Sequence, residues 1–238
     1  MGRLSLAVLA CLAFASPAAA IPVDLELVLA VDVSRSIDPE EEKLQREGYI
    51  AALQHPRVIQ AIRSAPHGKI AVIYVEWAGV DIQYTVVPWT LIDGEQSAAA
   101  FTQRIAAAPY QARNWTSISG AIDYSVPLFE NNGFEGTRRV IDISGDGRTN
   151  QGRPSAAARD DAVAAGVTIN GLSVINERLN FYRPPDMDLD IYYRDNVIGG
   201  PGAFMIVAEN FTAFTGAVLS KLIREIAGEP ADTSLAQR

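Results

Sequence analysis

The chain has 238 residues, 48% of them hydrophobic and 20% charged, and its 28 acidic and 20 basic side chains leave a net charge of −8. That balance excludes a broad basic face for nucleic acid and simple adsorption to anionic lipid. One cysteine, Cys11, excludes a framework of internal disulfides, and the length suffices for a sizeable core without one.

The opening reads as a secretory signal. Arg3 precedes an apolar run from Leu4 to Phe14, and Ala18-Ala19-Ala20 supplies small residues for cleavage. The expected organisation is a signal peptide over 1–20, one domain over 21–228 and a flexible tail over 229–238. The apolar run is short for a membrane span, and no later stretch of that length lacks charges. An exported protein, periplasmic or extracellular and without a transmembrane segment, is therefore expected. A lipid anchor on Cys11 is the alternative. Asn114-Trp115-Thr116 and Asn210-Phe211-Thr212 match the glycosylation sequon and are read as coincidence.

The first predicted strand lies in Leu25 to Ser36. Leu27 to Val31 is apolar at every position, the pattern of a strand buried on both faces within a parallel sheet. A helix follows over Glu40 to Leu53, with Asp38 as cap and Pro39 in its first turn. Pro56 interrupts it, and Val58 to Ile62 resumes a turn or two. Lys69 to Trp77 is the second strand and Ile82 to Trp89 the third. So few residues join these two that they must pair antiparallel, since a parallel crossover needs a dozen or more. Gln96 to Ala107 is a helix, and another runs from Thr116 to near Phe129. Arg138 to Ser144 is the fourth strand, Ser155 to Ala165 a helix, and Val167 to Ile175 the fifth strand. Asn176 to Gly202 reads as long and irregular. Ala203 to Val207 is a short sixth strand, and Phe211 to Ala227 a final amphipathic helix. Alternating strands and helices predict a doubly wound α/β fold. Its sheet is six-stranded and mainly parallel, with one antiparallel edge strand.

Asp32, Ser34 and Ser36 stand at alternate positions past the first strand, so an extended backbone turns all three to one side. In an open α/β sheet, ligands bind beyond the carboxyl ends of the strands. Asp146, just after the fourth strand, and Thr116, where a loop turns into a helix, belong at that end. Two carboxylates and three hydroxyls are hard oxygen donors suited to Mg²⁺ or Mn²⁺. The competing reading is that such residues merely cap helices. Trp115 adjoins Thr116. Tyr182, Arg183, Tyr192, Tyr193 and Arg194 are residue types that anchor interfaces. For Tyr192 and Tyr193, packing beneath their own segment is the equal alternative, and Trp77 and Trp89 read as core.

Other signals lead nowhere. Asp186, Asp188 and Asp190 begin like a calcium loop, but Ile191 and Val197 stand where Gly and Glu are required. Gly199-Gly200-Pro201-Gly202 lacks the ending of a phosphate loop. His55 and His67 have no partners at ligand or triad spacing. Asp142, inside the fourth strand, needs a partner, for which Arg138, Arg139 or a backbone amide is expected.

The pattern Asp32-x-Ser34-x-Ser36, with Thr116 and Asp146, resembles the metal-ion-dependent adhesion site (MIDAS) of von Willebrand factor A-type (vWA) domains. Gly145 departs from it, since many members have Thr there. Several longer blocks are similar to the exported bacterial DUF1194 branch, of unknown function. Among them are Val-Glu-Trp-Ala-Gly, Pro-Trp-Thr-Leu-Ile-Asp and Tyr-Tyr-Arg-Asp-Asn-Val-Ile-Gly-Gly-Pro-Gly-Ala-Phe. The resemblance implies that Ser34, Ser36 and Thr116 bind the metal through hydroxyls, with Asp32 and Asp146 acting directly or through water. It also implies a protein partner whose Asp or Glu completes the metal. The expected function is a non-enzymatic, metal-dependent binding module. A metal-dependent hydrolase and a structural subunit with a stabilising metal are the alternatives.

Overall fold

A computed structural model of the chain describes residues 19–35, 37, 39–175 and 186–228. The predicted leader, Ser36, Asp38, Tyr182, Arg183 and the predicted tail lie outside the described residues.

The architecture is a doubly wound α/β sandwich of three layers. Its strands are β1 (Ile21–Val23), β2 (Glu26–Asp32), β3 (Ile70–Trp77), β4 (Gln83–Ile92), β5 (Phe134–Gly136), β6 (Arg139–Gly145), β7 (Thr168–Val174) and β8 (Met205–Ala208). Its helices are α1 (Pro39–Leu53), α2 (Pro56–Ser64), α3 (Glu95–Ala107), α4 (Ile118–Ser125), α5 (Ser155–Ala164), α6 (Leu189–Asn196) and α7 (Phe214–Ala227). The main sheet has six strands in the order β4-β3-β2-β6-β7-β8. Every pairing in it is parallel except that of β3 with β4. The predicted antiparallel edge is therefore present. The sequence reading missed a small parallel pair, β1 with β5. Strands of three residues carry too little periodic signal to be read.

All of β2 is buried. Leu27, Leu29 and Val31 face one layer, where α1, α2, α3 and α7 supply Tyr49, Val58, Phe101, Phe214 and their neighbours. Val28 and Ala30 face the other, with Ile118, Ala158 and Tyr193 from α4, α5 and α6. Two-sided burial is what the unbroken apolar run encodes.

Two expectations are corrected. The segment expected to be irregular contains α6, which buries Leu189, Tyr193 and Val197, each four residues from the next. Only three apolar anchors separated by charge made that helix hard to read. Asp142 does not turn to Arg138 or Arg139. It ion-pairs with Lys221 of α7 at 2.6 Å, both side chains being 1% exposed. Lys221 also contacts Glu225, whose Oε1 accepts a hydrogen bond from Asn170 Nδ2 at 3.0 Å. Partner and strand are 79 residues apart, so no local pattern could join them.

Two carboxylates share one ammonium in that cluster. Burial pushes the Asp142 carboxyl up to about 7, Lys221 opposes the shift, and Glu225 reinforces it. Tyr49 lies close by, its hydroxyl bonded to Ser144. A carboxyl raised in the folded state keeps its proton while the unfolded chain loses one. This group's contribution to stability therefore falls as pH rises from about 4 to about 7. Asp142→Asn should become progressively more stable relative to wild type across that window, measured by chemical denaturation; parallel profiles would refute it. Lys221→Met, which strands two buried carboxylates, should cost about 3–5 kcal/mol at pH 8.

Candidate metal centre

The strand order places the site. From β2 the chain crosses to β3 through α1 and α2 in one layer, while α4 leads into β6 from the other. The carboxyl ends of the neighbours β2 and β6 therefore open between diverging connections, at the switch point. Asp32 ends β2, and Asp146 directly follows β6. In register, Val31 pairs with Ser144, so the two carboxylates belong to adjoining chain ends.

Four predicted metal residues are described, and all are buried: Asp32, Ser34, Thr116 and Asp146 are at most 4% exposed. Asp32 Oδ1 accepts the backbone N–H of Ser34 at 2.7 Å. Ser34 forms a parallel bridge with Arg113, and Arg35 N–H donates to the Arg113 carbonyl at 2.8 Å. The loop leading to Thr116 is thereby laid alongside the loop leaving β2. Thr116 is gripped from the loop after β6. Its N–H donates to Asn150 Oδ1 at 2.8 Å, and its carbonyl accepts Asn150 N–H at 2.9 Å. Ser117 then caps α4 by accepting Gly120 N–H, and its own N–H donates to Ala78 at the end of β3. Three loops are thus stitched together by backbone, which is what a ligand set drawn from three loops requires.

The donor set fits a hard divalent cation: it is all oxygen, with hydroxyls beside carboxylates. Among the described residues, no group of three or more His, Cys, Asp or Glu is placed to hold a metal. A set with two carboxylates depends on its hydroxyls instead. A cleft of about 820 Å³ lies away from these residues, lined by Arg138, Gly166, Phe204 and Glu225.

The rim residues divide. Trp115 is 58% exposed, beside buried Thr116. Its φ of 71° is rare for a bulky side chain, and such strain persists only where surrounding contacts enforce it. Tyr192 is half-buried: its hydroxyl lies 3.1 Å from Ser155 Oγ, and Arg148 stacks over its ring at 5.3 Å. Arg194 is exposed and paired with its neighbour Asp195, and nothing ties it to the loops of the site. Trp77 is fully buried in the core, and Trp89 donates its indole N–H to the Leu128 carbonyl.

Sequence reasoning missed the support beside the site. Glu76, fully buried on β3, accepts Arg46 Nη2 at 2.7 Å and the Tyr84 hydroxyl at 2.8 Å. Arg46 also donates to the carbonyl of Ala108, fixing the start of the loop that carries Thr116. Burial and the nearby charge of Glu76 push Glu42 up to about 7, against the pull of Arg46. Burial raises the Tyr110 phenol, and the negative charges of Glu42, Glu76 and Asp32 raise it further. The signal was a lone Glu inside an apolar strand.

With this geometry in place, comparison with known proteins decides the family. A model described as "protein of unknown function (DUF1194)" matches residues 22–230. The chain belongs to the DUF1194 family. No curated protein matches it. Among solved structures, this DUF1194 chain is similar to proximal thread matrix protein 1 from the mussel byssus, in a form with a zinc-occupied MIDAS motif. The TM-score is 0.60 at 13% identity, covering 88% of this chain and 50% of the other. It is also similar to the pilus adhesin SpaC from Lactobacillus rhamnosus GG, with TM-score 0.60, 12% identity, and 86% and 31% of the two chains covered. A von Willebrand factor type A protein from Catenulispora acidiphila gives TM-score 0.56 at 12% identity, covering 86% and 42%. The DUF1194 chain thus spans about half the length of the mussel protein or less of these relatives. At such identities the likeness establishes the vWA fold.

Asn150→Ala removes the side-chain acceptor of Thr116 N–H. It should cost about 1 kcal/mol, a melting temperature lower by roughly 2–4 °C in chelator. Asn150→Asp, which keeps an acceptor, should lose less. Equal melting of Asn150→Ala and wild type would show that this bond does not hold the loop.

Proposed function

We propose that this protein is an exported, metal-dependent binding module of the MIDAS type, which captures an acidic group of a protein partner through a bound divalent cation. One observation carries the reading. Asp32, Ser34, Thr116 and Asp146 are buried oxygen donors on three interlocked loops at the switch point of a vWA sheet. The mussel protein of the same fold holds zinc in its MIDAS motif, which supports a cation here as well. Ser34, Thr116 and Ser36 would hold it through hydroxyls, and Asp32 and Asp146 directly or through water.

The choice of Mg²⁺ or Mn²⁺ follows from donor chemistry. Hard oxygens without thiolate or imidazole suit these ions, and Mg²⁺ keeps waters where protein ligands are few. When bound, the cation supplies a positive, partly hydrated position that an incoming carboxylate can complete. Asp32 and Asp146 balance its double charge without exceeding it, so a partner's Asp or Glu is still attracted. Trp115 offers an exposed, amphipathic surface beside that position, of the kind that anchors interfaces. Tyr182, Arg183, Tyr192 and Arg194 complete the proposed rim, of which Tyr192 is the more committed to internal contacts.

The leader-like opening supports export to the periplasm or beyond, as do relatives that include a pilus adhesin and a byssus matrix protein. Among the described residues, no helix is long and apolar enough to cross a membrane.

A ligand that binds only the folded state must raise its melting temperature, by an amount that grows with concentration over Kd. Wild type should melt higher in Mg²⁺ or Mn²⁺ than in chelator, and Asp32→Ala should melt alike in both. Capture of envelope proteins by wild type should be lost in chelator and in Asp32→Ala. Metal-independent capture, retained by Asp32→Ala, would sink the mechanism. A thermal shift with unchanged capture would favour a purely structural metal.

A further inference from the structure

The residue before Asp146 is Gly145, and its missing side chain is occupied from elsewhere. A Cβ built at Gly145 would stand 2.9 Å from the Tyr193 hydroxyl and 3.0 Å from Asp32 Oδ2. Both oxygens therefore crowd one small volume above the backbone of β6. Tyr193 is fully buried, so its hydroxyl has been carried deliberately into the interior end of the site. The ring reaches that point along a track of missing side chains. A Cβ at Gly171, on the adjoining strand β7, would lie 3.0 Å from Tyr193 Cδ1. Gly171 pairs with Ile143, two residues before Gly145, so both glycines face the same layer. The aromatic plane crosses Gly171, and its polar tip ends at Gly145 beside Asp32.

Helix α6 is fastened to the loop that carries Asp146. Arg148, two residues past Asp146, makes a two-pronged pair with Asp186 at 2.5 and 2.9 Å, just ahead of the helix. The Tyr192 hydroxyl meets Ser155 at the start of α5, and Arg159 donates to the Asp195 carbonyl at 3.0 Å. The placement of Tyr193 is therefore fixed from both sides of the ring.

We infer that Tyr193 is a positioning residue of the metal centre: its hydroxyl, delivered over Gly171 and Gly145, holds the Asp32 carboxylate in its metal-binding orientation. The inference rests on the proposed metal reading. Asp32 Oδ1 is already directed by the Ser34 N–H at 2.7 Å. Tyr193 acts on the Oδ2 side, so the carboxylate is steered from both ends. Groups that orient a ligand in this way are generally worth 10- to 100-fold in metal affinity. The arrangement also accounts for Gly145, since a Thr there would collide with both oxygens.

The test is calorimetric titration of metal-stripped full-length protein with Mn²⁺ and Mg²⁺, using wild type, Tyr193→Phe and Asp32→Ala, with the melting temperature of each in chelator. Tyr193→Phe keeps the ring on its glycine track and removes only the oxygen. Its expected affinity is about tenfold or more below wild type. Its melting temperature in chelator should stay within about 4 °C of wild type. Unchanged affinity in Tyr193→Phe, with binding abolished in Asp32→Ala, would overturn the inference and leave the metal centre standing. Loss of cooperative melting in chelator would assign the hydroxyl to the fold, and also overturn it. Absence of metal binding by wild type would remove the metal reading and the inference together.

Discussion

The structure depends on one strand paired along both edges and buried on both faces. β2 takes β3 on one side and β6 on the other, each in parallel register. Its backbone donors and acceptors are spent in two ladders, and its side chains fill two cores. No polar group can be carried along such a strand without a partner, so the first uncompensated polarity falls where the ladders stop. That place is Asp32. Because the connections on either side of β2 run in opposite layers, nothing crosses its carboxyl end, and the loops there are free to gather donors.

Polarity inside the layers is handled by pairing. On β3, Glu76 is held by Arg46 and Tyr84. On β6, Asp142 is held by Lys221, with Glu225 and Asn170 completing the cluster. Each joins a strand to a helix of the same layer, α1 in the first case and α7 in the second. Buried pairs of this kind add little net stability, since desolvation offsets attraction, but losing one partner is costly. They act chiefly on register. Arg46 also grips the carbonyl of Ala108, which sets where the Thr116 loop begins.

Fold and function separate here. The family assignment brings no activity with it, and the structural likeness, at 12–13% identity, carries the sheet order and layers rather than a ligand. What argues for a cation is local: an oxygen-only set on loops tied to one another by backbone hydrogen bonds. The same local view singles out Tyr193, which no motif of the metal site includes.

The sequence by itself determined the layered α/β class, the antiparallel pairing of β3 with β4, and the positions of Asp32, Ser34, Thr116 and Asp146 at loop ends. All of these are short-range facts. An unbroken apolar run means two-sided burial, a short connection cannot cross a sheet in parallel, and polar residues that end an apolar strand lie at its edge. The tertiary structure alone decided the partner of Asp142, the clamp on Glu76, and the course of α6. It also brought Tyr193 to within reach of a point beside Asp32, 161 positions earlier in the chain. Such contacts join residues far apart in sequence, and neither periodicity nor spacing encodes them. They arise only when the strands are laid side by side and the absence of two side chains, at Gly145 and Gly171, opens a path between helix and strand.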